Sequence, residues 1–308
     1  MTGRGEEGIL VPTPQRDEWL AARARSRLTR EGYQRALHAI RSDSLTTVSV
    51  ADSAGQQRQL EAVLCAHLAH RGSWAPTKSW FAELAAHSTR AALTLNAGST
   101  QATAALLNEL LPRAFADDHG QEIHGIPGLR ARRCGSHWLL THLGIADAVV
   151  RLVAHRVFDV PDSLFEIQSD QWWRLIDDPA AAHERDHFDW RHLPDGDWAL
   201  LCSRLLRRPS LLDPCSLGAT SVSTYTTDDD LCMEWTGPLE TGHYMEIVLR
   251  ANLDVTLDPY YDEVLYTEDN PNNTREVMYQ FGTARLIVRR QPTSRRRSSS
   301  TNRDPAVL

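Results

Sequence analysis

The sequence predicts an α+β fold, in which a helical N-terminal two-thirds is followed by an antiparallel β-sheet region. Apolar residues recur at helical spacing through most of the first 212 residues, but they alternate with polar residues after Pro214. Helices and strands that are segregated along a chain in this way are typical of α+β proteins. With 308 residues, of which 42% are hydrophobic, the chain is long enough for one large core or two ordinary ones.

The same patterns divide the chain into four predicted regions. Residues 1–16 are rich in glycine and proline, which favours a flexible arm. Residues 17–212 form the helical domain, which is a bundle or a short helical array, and residues 213–290 form the antiparallel β region packed on it. Residues 291–308 (QPTSRRRSSSTNRDPAVL) are basic, rich in serine and without periodicity, which predicts a disordered tail.

Within the helical domain, the first helical stretch begins at Asp17, a suitable N-cap, and continues to Ile40. Three later segments start about 22 residues apart, as antiparallel helices joined by short turns do. The segment 137–157 (HWLLTHLGIADAVVRLVAHRV) is apolar on every side, which predicts a central core helix. After the first stretch, the predicted helices are 57–71, 78–95, 100–115, 137–157 and 195–207.

The β region is predicted from two segments in which apolar and polar residues alternate. These are YMEIVLR at 244–250 and REVMYQF at 275–281, and clusters of turn residues separate them. An antiparallel sheet of about five or six strands accounts for this spacing.

Charge is distributed unevenly along the chain, whose net charge is -7. Residues 220–280 contain 13 acidic residues but only Arg250 and Arg275 as basic ones. We therefore expect the acidic β region to bind another protein. Basic residues form a stripe of Arg23, Arg27 and Arg30 on the first helix and recur in the tail, where they suit phosphate contacts. The overall negative charge disfavours nucleic acid as a partner, so nucleic-acid binding is the third hypothesis.

A possible zinc site is indicated by His183-Glu184-x-x-His187. Residues four apart share one face of a helix, so both imidazoles can reach one cation while Glu184 acts as general base. His192 is the nearest candidate for a third ligand. The segment resembles the zincin peptidases over these five residues, and that resemblance implies a zinc-dependent hydrolase.

Two features weigh against zinc. The positions between the histidines are Arg185 and Asp186, whereas in the zincins they are uncharged and pack behind the metal. The glycine and histidine that continue the motif in metzincins are also missing after His187. The sequence therefore favours a protein without a bound cofactor. A zinc-dependent hydrolase is the alternative hypothesis, and the sequence does not decide whether the chain is an enzyme.

The expected location is the cytoplasm. No apolar run approaches the roughly 20 residues that cross a bilayer. Glu6 and Glu7 stand where a secretory signal would need an uninterrupted apolar stretch. The five cysteines are dispersed, as reduced thiols are. The leading hypothesis is a cytoplasmic protein-interaction or regulatory protein that does not bind membranes.

Overall fold

The computed structural model describes residues 14–43, 50–71, 81, 84–117, 120–135, 137–153, 172–174, 184, 193–212, 221–227, 230–236, 249–253, 256–267 and 270–291. In chain order its helices are α1 (Pro14–Thr29), α2 (Tyr33–Asp43), α3 (Gly55–Arg71), α4 (Thr100–Leu110), α5 (Gly196–Leu206) and a 3₁₀ helix (Pro209–Leu212). Its strands are β1 (Ala85–Ser88), β2 (Leu93–Asn96), β3 (Arg113–Asp117), β4 (Gly120–His124), β5 (Leu129–Cys134), β6 (His137–His142), β7 (Ile145–Val153), β8 (Trp172–Arg174), β9 (Ser221–Thr227), β10 (Asp230–Thr236), β11 (Thr256–Thr267), β12 (Asn270–Phe281) and β13 (Ala284–Gln291).

Helices α1 and α2 pack on each other through a small core of their own. It is formed by Ala22 of α1 and by Ala36, Leu37 and Ile40 of α2. The predicted helical stretch from Asp17 to Ile40 is thus two helices, and Arg30 between them adopts a left-handed backbone with φ of 58°.

The first large sheet has the strand order β1-β2-β7-β6-β5. Strands β2 and β7 are parallel, with Leu93 paired with Val150 and Leu95 with Leu152. The other neighbouring strands of this sheet are antiparallel. Helix α4 lies in the connection after β2 and is capped by Ser99, whose side chain accepts a hydrogen bond from the backbone N–H of Ala102.

The second large sheet has the order β11-β12-β13-β10-β9. Strands β10 and β13 are parallel, with Leu231 paired with Leu286 and Met233 with Val288, and the other pairs are antiparallel. A separate three-stranded sheet, β4-β3-β8, is antiparallel throughout.

The two large sheets have the same connectivity. Each begins with a hairpin, β1-β2 or β9-β10, and continues with a three-stranded meander whose last strand lies parallel to the second strand of the hairpin. Each hairpin is preceded by a helix, α3 or α5. Between hairpin and meander lies a further helical segment, which is α4 in the first unit, where β3 and β4 follow it, and residues 249–253 in the second. We call these parts the first unit (residues 55–153) and the second unit (residues 196–291).

Helices α3 and α5 pack on each other at the junction of the two units. Their sequences AVLCAHLAHR (62–71) and ALLCSRLLRR (199–208) are identical at five of ten positions, which align Cys65 with Cys202. Both cysteines are fully buried, and burial, together with the neighbouring Cys65 thiol, raises the pKa of Cys202. Contact between equivalent residues is what a local twofold relation between the two units would produce. One continuous core spans both units and includes Leu64, Leu205, Leu140 and Leu286.

The fold class predicted from sequence is wrong. The N-terminal two-thirds is not helical throughout, because β1 and β2 occupy the predicted helix 78–95 and β6 and β7 occupy the predicted helix 137–157. The later sheet is not purely antiparallel, because β10 and β13 run parallel. The molecule is a mixed α/β protein with helices at its N-terminal end and two mixed sheets.

Other predicted elements agree with the structure. The segment 57–71 lies within α3, the segment 195–207 contains α5, and the segment 275–281 lies within β12. The segment 100–115 contains α4, but the helix ends at Leu110 and residues 113–115 belong to strand β3, so the end of this predicted helix is wrong. For the predicted strand 244–250, residues 249 and 250 are helical and the rest lie outside the described residues. Of the predicted arm 1–16, only residues 14–16 are described, and they form the start of α1. Of the predicted tail 291–308, only residue 291 is described. The four region boundaries remain a prediction.

Candidate functional site

Glu184, the predicted general base, lies in a buried ionic cluster. Its carboxylate accepts hydrogen bonds from both terminal nitrogens of Arg130, at 2.9 and 2.7 Å, and from the backbone N–H of Gly128 at 2.5 Å. Glu184 is 1% exposed and the Arg130 side chain is 11% exposed. A carboxylate in a bidentate pair of this kind has few lone pairs left for a metal-bound water.

His142 completes this cluster on the β6–β7 turn. Its Nε2 lies 2.9 Å from the carbonyl oxygen of Pro127, and its Nδ1 accepts the backbone N–H of Gly144 at 3.2 Å. This arrangement requires the neutral ring with the proton on Nε2. Burial lowers the pKa of His142, and the positive charge of Arg130 lowers it further. Gly128 is needed here because its φ is +83° and a Cβ would press on the ring of His142.

The predicted zinc ligands His183, His187 and His192 lie outside the described residues. Among the residues that are described, no group of three histidine, cysteine or acidic side chains is placed to hold a metal ion. Zinc binding therefore remains a prediction. The hydrolase mechanism additionally requires Glu184 to be released from Arg130 and Gly128.

A second buried ionic cluster joins α3, α5 and the segment before α3. Arg207 donates from Nε and Nη2 to the two carboxylate oxygens of Glu61, both at 2.7 Å, and both side chains are fully buried. Gln57 and Ser203 donate to the same carboxylate at 2.9 and 2.6 Å. The other terminal nitrogen of Arg207 binds the carbonyls of Ala51 and Thr89. The pair thus has full hydrogen-bond partners, which buried charges require.

A third cluster attaches α1 to the first sheet. Arg25 donates to the Glu31 carboxylate and, through Nη2, to the carbonyl of Ser88 at 2.6 Å. Nδ1 of His87, on β1, also binds Glu31. Burial, the largest influence, would raise the pKa of Glu31, but the hydrogen bond from His87 and the charge of Arg25 outweigh it and lower that pKa. Glu31 is therefore the shared anion of this cluster.

Sequence reasoning missed the second and third clusters, although a signal exists for the second. Gln57 and Glu61 are four residues apart on α3, and Ser203 and Arg207 are four apart across the end of α5. Polar residues at this spacing inside apolar helices indicate a polar strip on a packed face. No such signal exists for the third cluster, because His87 and Glu31 meet only through the fold.

The acidic β region contains internal ion pairs that its sequence composition does not show. In the parallel pair β10–β13, Asp230 stands opposite Arg285 and Glu234 opposite Arg289. Both pairs form ion pairs, Arg285 with Asp230 at 2.6 Å and Arg289 with Glu234. These arginines lie beyond residue 280, where the acidic stretch ends. The negative charges of Asp230 and Glu234 on β10 are therefore balanced within the sheet.

Strand β11 lies at one edge of the second sheet and is acidic in sequence. Its twelve residues, Thr256–Thr267, include Asp258, Asp262 and Glu263 but no arginine or lysine. Strand β12 is its hydrogen-bonded neighbour in the strand order. On the neighbouring strand β12, Arg275 stands opposite Val264 and Glu276 opposite Glu263. The edge strand β11 is thus acidic in its own sequence and has both an acidic and a basic residue across from it.

The predicted arginine stripe on α1 is shorter than expected. Arg23 and Arg27 are exposed, but Arg30 donates to the backbone carbonyls of Phe81 and Leu84. Trp19 and Leu20, one turn before Arg23, are 50% and 55% exposed. The tail arginines that were predicted to act with the stripe lie outside the described residues, so nucleic-acid binding also stays a prediction.

Within the part of the chain that the structure describes, no helix has both the length and the apolar character needed to cross a bilayer. Comparisons with protein-family models, with curated proteins and with solved structures give no match for this chain.

Proposed function

We propose that this chain is a cytoplasmic protein-interaction or regulatory protein, and that the acidic edge strand β11 is its binding surface for a basic segment of another protein. The observation that supports this most directly is the position of β11. An edge strand presents backbone donors and acceptors to which a further strand can add. The acidic residues Asp230 and Glu234 of β10 are paired with Arg285 and Arg289, whereas β11 carries three acidic residues and no basic one in its sequence.

The buried clusters support a binding role over a catalytic one. Glu31, Glu61 and Glu184 are bound by arginine side chains, as structural carboxylates are. Four cysteines are free thiols in the described residues, which agrees with a reducing compartment such as the cytoplasm.

The proposal is tested by binding of a fluorescent nona-arginine peptide to the full chain in about 150 mM NaCl, measured by anisotropy. The variant Asp262→Asn/Glu263→Gln should bind about tenfold more weakly, because it removes charge at the regular part of β11. The matched control is Asp17→Asn/Asp147→Asn, which changes net charge equally at two exposed positions. Binding by the control should stay within about twofold of the original.

Equal losses in the two variants would contradict the proposal, since they would show a general charge effect without a defined site. Absence of any peptide binding by the unmodified chain would contradict it as well.

A further inference from the structure

The shared connectivity of the two units makes β5 and β11 equivalent strands. Each is the first strand of its meander, and each stands at the outer end of its sheet, in the orders β1-β2-β7-β6-β5 and β11-β12-β13-β10-β9. Each therefore has one edge that no described strand occupies. Such an edge is a template for strand addition.

The two equivalent strands differ in the sign of their charge. Strand β5 (LRARRC) contains Arg130, Arg132 and Arg133 and no acidic residue, whereas β11 contains three acidic residues and no basic one. Arg130 is engaged with Glu184, as described above. Arg132 and Arg133 are exposed, and Arg132 forms no ion pair with any residue that the structure describes.

The backbone of each strand is regular where these charges lie. Six consecutive residues of β5, Leu129 to Cys134, pair with β6 without a register shift. In β11 the register with β12 shifts between Leu257 and Asp262, a segment that includes Pro259, and then runs regularly from Asp262 to Leu265. Proline prevents a ladder hydrogen bond at its own position, so the segment suited to strand addition starts at Asp262.

We propose that β5 of one copy of this chain adds to β11 of a second copy as an antiparallel strand. The register places Arg132 opposite Glu263 and Arg133 opposite Asp262. This rests on the proposed function, because it names a second copy as the protein whose basic segment binds the acidic edge. Pairing β5 with β5 or β11 with β11 would put like charges opposite each other, which disfavours both alternatives.

A contact between two different edges is heterologous, so each copy retains one basic and one acidic edge after pairing. Self-association should therefore increase with protein concentration and extend beyond the dimer. It should also weaken with salt, because the proposed contacts join oppositely charged residues and salt screens such attraction.

Sedimentation velocity of the full chain tests the proposal at about 50 mM and about 500 mM NaCl. The unmodified chain should form dimers and larger species at low salt, and the weight-average sedimentation coefficient should fall toward the monomer value at high salt. Arg132→Glu and Glu263→Arg should each abolish association, because each opposes two like charges. An equimolar mixture of these two variants should associate again, since every contact between unlike copies then joins opposite charges.

Arg151→Glu is the matched control. Arg151 is exposed on β7, inside the same sheet, and its reversal changes net charge by the same amount as Arg132→Glu. This variant should associate like the unmodified chain. Circular dichroism of each variant checks that the fold is retained.

Monomers at every concentration and salt would overturn the proposal, as would failure of the mixture to associate while both variants are folded. The proposed function is judged separately, because nona-arginine binding at β11 does not require a second copy. Retained peptide binding by a strictly monomeric chain would reject the second copy as partner and leave the acidic edge as a binding surface.

Discussion

Several buried charges among the described residues, such as Glu61 and Arg207, are bound by more than one segment of the chain. Glu61 receives four hydrogen bonds from Gln57, Ser203 and Arg207, and Arg207 extends to carbonyls of two further segments. A buried ion pair contributes little net stability when it is complete, but removal of one partner leaves a desolvated charge. These residues should therefore be sensitive to single substitutions.

Glu184→Gln separates a structural role of this residue from a catalytic one. In the structural role, the substitution leaves Arg130 largely buried without its anion, and the free energy of unfolding should fall by about 3 kcal/mol. The measurement is urea denaturation. The control is Glu18→Gln, which alters an exposed pair with Arg41 and should cost less than about 1 kcal/mol. Unchanged stability with Glu184→Gln would instead favour a catalytic carboxylate.

His142 should make the protein less stable as the pH falls below neutrality. Burial lowers the pKa of His142 in the folded state below its ordinary value of 6.5. The unfolded state therefore takes up the proton first, and stability decreases as the pH is lowered from about 6.5 toward the folded pKa, by at most about 1.4 kcal/mol per pH unit.

Denaturation midpoints between about pH 7.5 and pH 5.5 measure this dependence. His142→Gln, which retains a donor and an acceptor but cannot titrate, should show a smaller decrease. The carboxyls of Glu31 and Asp52 also have lowered pKa values, and the stability they contribute is lost at lower pH, below their ordinary values of 4.5 and 3.8. An unchanged slope in His142→Gln would assign the effect to another group.

At the scale of elements, the turn between β12 and β13 is fixed to the start of α5. Asp197 accepts hydrogen bonds from the backbone N–H of Thr283 at 2.9 Å and from its hydroxyl at 3.3 Å. Gly282 has a φ of +57°, and a Cβ at this position would overlap the Asp197 carboxylate. The contact between this turn and the start of α5 therefore requires glycine at position 282.

Gly282→Ala should lower the free energy of unfolding by about 2 kcal/mol, through the left-handed backbone and the overlap with Asp197. Asp197→Ala removes the overlap, so the double substitution should cost less than the sum of the two single ones. Thermal or urea denaturation of the four proteins gives this coupling. Strict additivity would show that Asp197 moves aside without cost.

The regularity of the apolar spacing explains which elements could be predicted from the sequence. Helices α3, α4 and α5 keep an apolar face at helical spacing, and the sequence predicts all three, although it extends α4 into strand β3. The segment 137–157 was read as one helix because strands β6 and β7 lie on either side of a short turn. Trp138, Leu140 and His142 alternate inward on β6, but the turn at Leu143 and Gly144 interrupts the two-residue period.

At the scale of the whole molecule, side chains of α5 and of the residues after it join the second unit to the segment before α3. Arg204 pairs with Asp52 at 2.8 Å, donates to the carbonyl of Leu253 and lies 5.0 Å from the centre of the Phe281 ring. Arg208, which is 4% exposed, reaches the carbonyl of Val50. Burial lowers the pKa of Arg208 to about 10. These contacts connect the segment before α3 to the second unit.

The similarity between the two units could be detected in the sequence by aligning residues 62–71 with residues 199–208. The similarity of residues 62–71 to 199–208 is confined to ten positions, and a search for evenly spaced helical repeats does not find it. The strands of the two units have dissimilar residues at equivalent positions, most clearly in the opposite charges of β5 and β11. Strand pairing, which is set by contacts distant in sequence, shows the relation directly.

Arg207 should determine whether the two units unfold together. Their cores are continuous, and the buried pair of Arg207 with Glu61 lies between α3 and α5. In the unmodified chain, hydrogen exchange followed by mass spectrometry should give peptides from β6–β7 and β12–β13 the same opening free energy, as one cooperative unit does. Arg207→Met leaves Glu61 buried without its cation and should lower this free energy by about 3–5 kcal/mol.

The loss in Arg207→Met should also be unequal between the two units. Glu61 belongs to the first unit, which would retain the uncompensated charge, so β6–β7 should exchange faster than β12–β13. The control Arg151→Glu changes an exposed arginine of the first unit and should leave both sets of peptides equally protected. Uniform exchange across both units in Arg207→Met would show that the continuous apolar core, rather than this ion pair, couples them.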